Sequence, residues 1–184
     1  KKQSRLYSIT GYYTKKLVNW NLVATQTSVN LESYPWPVVR LGDVYLLYAE
    51  ALNETDNQGE ALVYLNLIRE RAGLGSVESS WTNFSTNPDK YKNKDGLREI
   101  IHQERLIEMA FEGSRFWDLR RWKKAAQVLN QPIYGWDIIQ PSFADYNRRV
   151  LLFSQSFNSP RDYLWPIREG NLLVNPNLVQ NTGW

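Results

Sequence analysis

The residues best placed to do chemistry are three glutamates spaced four positions apart. Glu104, Glu108 and Glu112 share one face if this segment is helical. Two carboxylates held across a sugar-sized gap can hydrolyse a glycosidic bond. Carboxylates paired with arginines keep a low pKa, however, and make poor general acids. The arginines that could pair with these glutamates are Arg69, Arg71, Arg105, Arg115, Arg120 and Arg121. We therefore expect an ion-pair network that joins helices, and no enzyme.

A histidine near the glutamates raises the question of a metal site. Glu99 and His102 stand three positions apart, as in di-iron carboxylate bundles, but those sites need a second such pair. The chain has a single histidine and no cysteine, so this pair cannot be repeated and thiolate ligands are excluded. Phosphate-binding loops, dinucleotide fingerprints and a G-x-S-x-G elbow are also missing from the sequence. We expect no metal, no cofactor and no catalytic residue.

Aromatic residues are frequent and could bind sugars. The 184 residues include 8 tryptophans and 11 tyrosines, whose rings can stack on a sugar or fill a core. Trp81 lies in a polar stretch, and Tyr134 and Trp136 follow the last predicted helix. Because loops on a helical scaffold leave rings accessible, these three are the candidate ligand-binding residues.

Charge and hydropathy exclude two classes of partner. The net charge of +3 arises from 22 basic and 19 acidic residues without a separate basic stripe, so nucleic-acid binding is not expected. No stretch approaches about 18 consecutive apolar residues, so we expect no transmembrane segment.

The elements that position these residues are predicted to be helices. Pro35 and Pro37 prevent a helix from crossing this point, and apolar residues recur at helical spacing from about Val38. Asn57 with Glu60 resembles a helix cap, and glycines stop the second helix near residue 73. A third helix is predicted from about Asp95 to Glu112, followed after Gly113 by a fourth, capped by Ser114 and continuing to about Asn130.

These elements predict a mainly α fold with two tetratricopeptide-like helical hairpins of the α-solenoid type, long irregular loops and little strand. The whole chain is predicted to be a single domain. Its parts are an irregular or extended lead-in (1–37), hairpin 1 (38–75), a loop (76–93), hairpin 2 (94–130) and a loop-rich C-terminal segment (131–184). A short strand is expected around residues 150–153 in that last segment.

Four sequence motifs in this order resemble the SusD/RagB family. They are RLGDVYLLYAEA at 40–51, NLIRERAG at 66–73, ERLIE through EGSRFWDLRRW at 104–122, and LWPI at 164–167 followed by NPNLVQN at 175–181. Gly11-Tyr12-Tyr13 with Lys15-Lys16 is similar to the segment before the first helix. The departure is Arg168, where the family usually has a second proline. The resemblance covers nearly the whole chain but only about the last third of a usual family member.

The resemblance implies a function in nutrient capture. Such proteins are surface-exposed outer-membrane lipoproteins that bind oligosaccharides, or in some members peptides, and deliver them to a SusC-type TonB-dependent transporter. The resemblance further implies a lipid anchor in an N-terminal portion that this sequence does not include. It also implies structural roles for the motif residues, so Trp117, Trp122 and Trp165 are expected in the core. The alternative is a helical scaffold that docks on the transporter and has no ligand site in this segment.

Overall fold

The computed structural model describes residues 8–16, 18–19, 21–25, 27–30, 33, 35 and 37–184. They form two compact units, each treated by itself below. The helical unit comprises the described residues between 18 and 115, and the C-terminal unit comprises residues 8–16 and 116–184. Part of the predicted lead-in, residues 1–7 among it, lies outside the described residues.

Four helices dominate the helical unit. A short antiparallel pair of strands, β1 (Val23–Ala24) and β2 (Val29–Asn30), comes first. The helices that follow are α1 (Leu41–Glu54), α2 (Gln58–Arg71), α3 (Val77–Phe84) and α4 (Lys94–Glu108). A 3-10 turn at Lys90–Lys92 precedes α4. Helices α1 and α2 pack against each other, and both contact α4.

The turn between α1 and α2 and the end of α2 follow the predicted sequence signals. The Asn57 side chain accepts a hydrogen bond from the Glu60 backbone N–H and donates one to the Glu60 carboxylate at 2.8 Å. Gly73 has a φ of 74°, and the N–H of Leu74 donates to the carbonyl of Arg69 at 2.9 Å. This left-handed closure favours glycine, so α2 ends at the glycine that the sequence marks as its stop.

Apolar side chains from all four helices form the core of the helical unit. They are Leu46, Ala49, Leu52, Ala61, Leu65, Ile68, Val77, Leu97, Ile100 and Ile101, with Met109 beyond the end of α4. Along α1, α2 and α4, a spacing of three or four places these side chains on the inner face of the helix.

The prediction of a loop at 76–93 is wrong, because this stretch contains α3 and the 3-10 turn. Ser76 caps α3 by accepting a hydrogen bond from the Ser79 N–H at 3.1 Å. Asn66 of α2 accepts from the N–H of Val77 at 2.9 Å, and the Val77 side chain is fully buried. The serine-rich composition has no strong helical preference, so packing on α2 decides the conformation.

The C-terminal unit is built from short elements. They are α5 (Ser114–Arg121), which begins at the boundary of the units, α6 (Ala125–Leu129), β3 (Pro132–Trp136), α7 (Phe143–Tyr146), β4 (Arg149–Ser154) and α8 (Glu169–Val174). Strands β3 and β4 are antiparallel, with Ile133 opposite Phe153 and Trp136 opposite Arg149. Leu119, Ala125 and Phe157 form a small core.

Two further predictions about helix length need correction. Helix α4 ends at Glu108 instead of Glu112, and Phe111 and Gly113 beyond it have positive φ angles of 67° and 81°. The predicted fourth helix is divided into α5 and α6, because Lys123 has a φ of 57°. A residue with left-handed backbone angles ends a helix, and the spacing of apolar residues in the sequence does not predict where such a residue occurs. The strand expected around 150–153 is confirmed as β4, while its partner β3 was not predicted.

The mainly α fold with little strand is confirmed, and α1 with α2 forms a hairpin of the tetratricopeptide kind. The division of the chain into one domain with two hairpins stays a prediction. No helix among the described residues has both the length and the apolar character needed to cross a bilayer.

Candidate functional site

Glu108 and Glu112 are held by an arginine from the start of α1. Arg40 donates from Nη1 to Glu108 Oε1 at 2.5 Å and from Nε to Glu112 Oε2 at 2.6 Å. Its Nη2 donates to the Glu108 carbonyl at 2.7 Å, and Arg71 of α2 adds an ion pair to Glu108 at 2.5 Å. Burial disfavours the charge of Arg40, but hydrogen bonds to Glu112 and Glu108 outweigh burial and raise its pKa.

Glu104 is paired in the same way with the end of α2. Arg69 forms an ion pair with the Glu104 carboxylate, and both side chains are largely buried. The same guanidinium donates to the Gly75 carbonyl and to Ser80 Oγ, both at 2.8 Å. Arg69 thus joins α2, α3 and α4. The predicted pairing of Arg69 and Arg71 with the glutamates is confirmed.

Other arginines of the predicted network have different partners. Arg105 is buried and donates to Asp43 of α1 at 2.6 Å, and Arg121 donates to Asp118 at 3.0 Å. The Arg120 guanidinium lies 3.6 Å from the ring centre of Phe116. Helical spacing identifies which residues share a face, but the side chain opposite that face depends on tertiary packing. Arg40, the main partner, was missed because it precedes α1 and lies 68 residues from Glu108.

The Glu99–His102 pair does not lead to a metal centre among the described residues. His102 is buried, with Nε2 3.9 Å from a carboxylate oxygen of Glu50, and Glu99 forms an ion pair with Lys90 at 2.7 Å. In the part of the chain that the structure describes, no three histidine or acidic side chains are grouped closely enough to hold a metal ion.

Trp81 lies on α3 and is half-buried against the core of the helical unit. The Lys90 ammonium lies 5.2 Å from its ring centre. Beside it is a shallow hollow of about 260 Å³ lined by Ser80, Trp81, Phe84 and Ser85. Part of the Trp81 ring is therefore available to a ligand, and the remainder packs in the core.

Tyr134 and Trp136 lie together on β3 and form the main part of a surface that we call the β3 surface. Residues two apart on a strand share a face, and Tyr12 packs on this face with its ring centre 5.6 Å from that of Trp136. The Arg149 guanidinium of β4 lies 4.1 Å from the Tyr134 ring centre. These four residues and Gly135 surround a small hollow of about 50 Å³.

Gly135 allows the N-terminal segment to approach β3. A Cβ at this position would lie 2.7 Å from the Cα of Thr10, and the N–H of Trp136 donates to the Thr10 carbonyl at 2.9 Å. Gly11 then turns with a φ of 76° and directs Tyr12 to the β3 surface. Tyr12 and Arg149 were missed as site residues. The motif that contains Tyr12 was visible in the sequence, whereas the pairing of β3 with β4 was not.

The predicted burial of the motif tryptophans is only partly correct. Trp122 is half-buried, but Trp117 is 62% exposed and Trp165 is 66% exposed. Each contacts the Phe116 ring, at centre distances of 5.0 Å and 6.3 Å respectively. Contact with one neighbouring ring leaves most of an indole surface open.

Comparison with known proteins agrees with the fold and motifs. The sequence profile of the SusD family matches residues 2–184. SusD-like protein P2 of Formosa agariphila is 36% identical over 144 residues, which cover 78% of this chain and 24% of that protein. A solved SusD-like protein from Bacteroides fragilis has a TM-score of 0.66 and 31% identity, covering 81% of this chain and 26% of that one. A SusD-like carbohydrate binding protein from the same species has a TM-score of 0.59 and 32% identity, covering 78% and 28%.

The chain therefore belongs to the SusD family. It spans about a quarter of the length of these relatives.

Proposed function

We propose that this chain is a non-catalytic part of a SusD-like protein that captures oligosaccharides at the bacterial surface. Peptides are the second proposed class of ligand. The captured ligand passes to a SusC-type TonB-dependent transporter, and the whole protein is attached to the outer membrane by a lipid anchor. The observation that carries the ligand part of this proposal is the β3 surface, where accessible aromatic rings are grouped beside a cation.

The chemistry of the β3 surface suits a sugar. The C–H face of a pyranose packs on an aromatic ring, while its hydroxyl groups need polar partners at the ring edge. Tyr12 and Tyr134 are exposed and Trp136 is half-buried, so the rings are accessible on a supported strand. Arg149 supplies hydrogen-bond donors next to them. Trp81 is a second proposed contact, limited by its packing in the core.

The paired glutamates support a non-catalytic function. A glycosidase needs one carboxyl group that is protonated at working pH. Glu104, Glu108 and Glu112 each form an ion pair with an arginine, so these carboxylates join elements of the fold. No step of the proposed function needs a cofactor.

A scaffold that docks on the transporter is the alternative function. Exposed apolar residues at the start of α1, among them Val38, Val39 and Leu41, favour it. Apolar side chains grouped at a surface are typical of protein contacts. In this case the segment would contain no ligand site.

Replacing Trp136 by alanine tests the two functions. If the β3 surface binds glycan, we expect the dissociation constant to rise at least about tenfold, since a loss of about 1.4 kcal/mol of binding free energy corresponds to a factor of ten. The measurement is isothermal titration calorimetry of the chain against panels of oligosaccharides and peptides. Trp117→Ala is the matched control, because Trp117 is also exposed but does not line the β3 surface.

Unchanged affinity in Trp136→Ala would contradict the assignment of the β3 surface. Absence of heat with every ligand, together with retained binding to a purified SusC-type transporter, would favour the scaffold.

A further inference from the structure

A larger hollow of the C-terminal unit shares no residue with the β3 surface. It has a volume of about 260 Å³, and we call it the Trp184 cavity. Trp165, Trp184 and Leu164 provide apolar walls, and Arg120 and Asp162 provide charged groups. Apolar walls with a few polar groups are typical of small-molecule sites, and this volume lies just below the range of about 300 to 1,000 Å³ for larger ligands. The cavity therefore suits a ligand group of about one sugar ring.

Trp184 is held in a fixed orientation at the edge of the cavity. Its indole Nε1–H donates to the carbonyls of Arg161 and Leu164, at 3.2 and 3.3 Å. The Arg161 guanidinium lies 5.0 Å from the indole, and Gly183 has a φ of 90° that directs the chain into this position. The ring is still 49% exposed. An aromatic ring that is both fixed and accessible can stack on a sugar without a large loss of side-chain entropy.

Arg120 gives the cavity a positive charge that lacks a direct acidic partner among the described residues. Its Nη2 donates to the Asp162 carbonyl at 3.2 Å, and the guanidinium lies 3.6 Å and 5.6 Å from the ring centres of Phe116 and Phe157. The Nε and Nη1 atoms are buried and have no hydrogen-bond partner among those residues. A cation with so little solvent around it is weakly screened, so it attracts a nearby anion more strongly than a surface arginine does.

Asp162, the one acid among the described residues that line the cavity, is already engaged by other partners. Asp162 accepts from Arg161 Nε and from the Asn158 N–H, both at 2.7 Å. Hydrogen bonds from Arg161 and then from Asn158 lower the pKa of Asp162, so its carboxylate is charged at neutral pH. Arg120, Arg161 and Asp162 together carry two positive charges and one negative charge, so the net charge of these three side chains is positive.

We propose that the Trp184 cavity binds one acidic sugar residue, with the sugar ring against Trp184 and Trp165 and its anionic group toward Arg120. The ligand class rests on the proposed function, but the residues differ from those of the β3 surface. The anionic group is a carboxylate or a sulfate ester, which share charge and acceptor oxygens.

The test uses ligands that differ only in charge. The full chain, labelled with ¹⁵N, is titrated with trigalacturonic acid and with its methyl ester, which keeps the rings and removes the charge. We expect the acid to bind at least about tenfold more tightly and to shift the Trp184 indole N–H resonance, assigned from Trp184→Phe. A sulfated galactose disaccharide and its unsulfated form compose the second arm, which separates sulfate from carboxylate.

Two variants and one control locate the binding. Trp184→Ala should weaken binding of the acid at least about tenfold, and Arg120→Met should remove the difference between acid and ester. Phe143→Ala is the control, because this exposed ring of the same unit lines neither hollow. Circular dichroism establishes that each variant is folded; if Arg120→Met is not, Arg120→Lys, which keeps the charge, should retain the preference for the acid.

Several results would overturn the proposal. These are equal affinity for both members of each ligand pair, no binding of any acidic sugar, or binding that leaves the Trp184 indole resonance in place. Failure of the proposed β3 site would be detected in a different experiment, the titration of Trp136→Ala with neutral oligosaccharides. Acid binding that depends on Trp184 and Arg120, but not on Trp136, would support the Trp184 cavity even if the β3 surface bound nothing.

Discussion

Replacing Arg40 by methionine is expected to lower the free energy of unfolding by about 3 kcal/mol. Removing one partner of a buried ion pair typically has an effect of this size, because the other charge stays buried. Methionine keeps the unbranched apolar stem but removes the hydrogen bonds to Glu108 and Glu112. Arg71 remains as a partner of Glu108. The carboxylates are largely buried, at 14% exposure each, and regain little hydration when the guanidinium is removed. Urea denaturation followed by circular dichroism measures the change.

A surface arginine provides the matched control. Arg98 also bridges two helices, donating to Glu54 at 2.5 Å, but the two side chains are 30% and 41% exposed. Arg98→Met should therefore cost less than about 1 kcal/mol. The double change Arg40→Met with Glu112→Gln should recover part of the loss, because it also removes the carboxylate charge that Arg40 neutralises. Equal losses for Arg40→Met and Arg98→Met would contradict the structural importance of the Arg40 pairs.

Replacing Gly96 by alanine is expected to destabilise the protein by about 3 kcal/mol, although alanine favours a helix by about 1 kcal/mol over glycine. Gly96 lies in the first turn of α4, where its N–H donates to Asn93 Oδ1 at 2.7 Å. A Cβ at this position would lie 2.0 Å from the carbonyl oxygen of Lys90. That oxygen belongs to backbone in the 3-10 turn, so the clash requires the turn to move away from α4. Thermal and urea unfolding both report the loss.

Gly59 gives the opposite expectation for the same substitution. It lies in the first turn of α2, and beyond the adjoining residues and backbone of its own helix no heavy atom would come within 4 Å of an added Cβ. Gly59→Ala should stabilise the protein by about 0.5 kcal/mol, since only the helical preference changes. A neutral or stabilising result for Gly96→Ala would show that the 3-10 turn does not pack against α4 as described.

Helix hairpin 1 and the glutamate face of α4 could be predicted from the sequence because their signals are local. Apolar residues that recur every three or four positions identify α1 and α2. Asn57 caps the start of α2 and Gly73 closes its end, and each contacts residues within about one helical turn of itself. Family membership was also accessible, since the four motifs are read directly from residue order. Local order along the chain carries this information without any tertiary contact.

Helix α3 and the partners of the charged residues could not be predicted in the same way. The serine-rich segment becomes helical because Asn66 and the core hold Val77 in place. Arg40 reaches Glu112 across 72 residues, and no pattern in the chain selects Arg40 over the other arginines. Left-handed residues such as Lys123 end helices at positions that the apolar spacing would continue.

The candidate binding surfaces divide along the same line. Composition and position identified Tyr134 and Trp136 as candidates, because aromatic side chains outside the predicted helices are chemically suited to sugars. Only the tertiary structure placed Tyr12 and Arg149 beside them, and only it left Trp165 exposed at the Trp184 cavity. The sequence determines which chemical groups are present and how each short segment folds. The packing of distant segments determines which of those groups meet, because that choice depends on contacts between residues far apart in the chain.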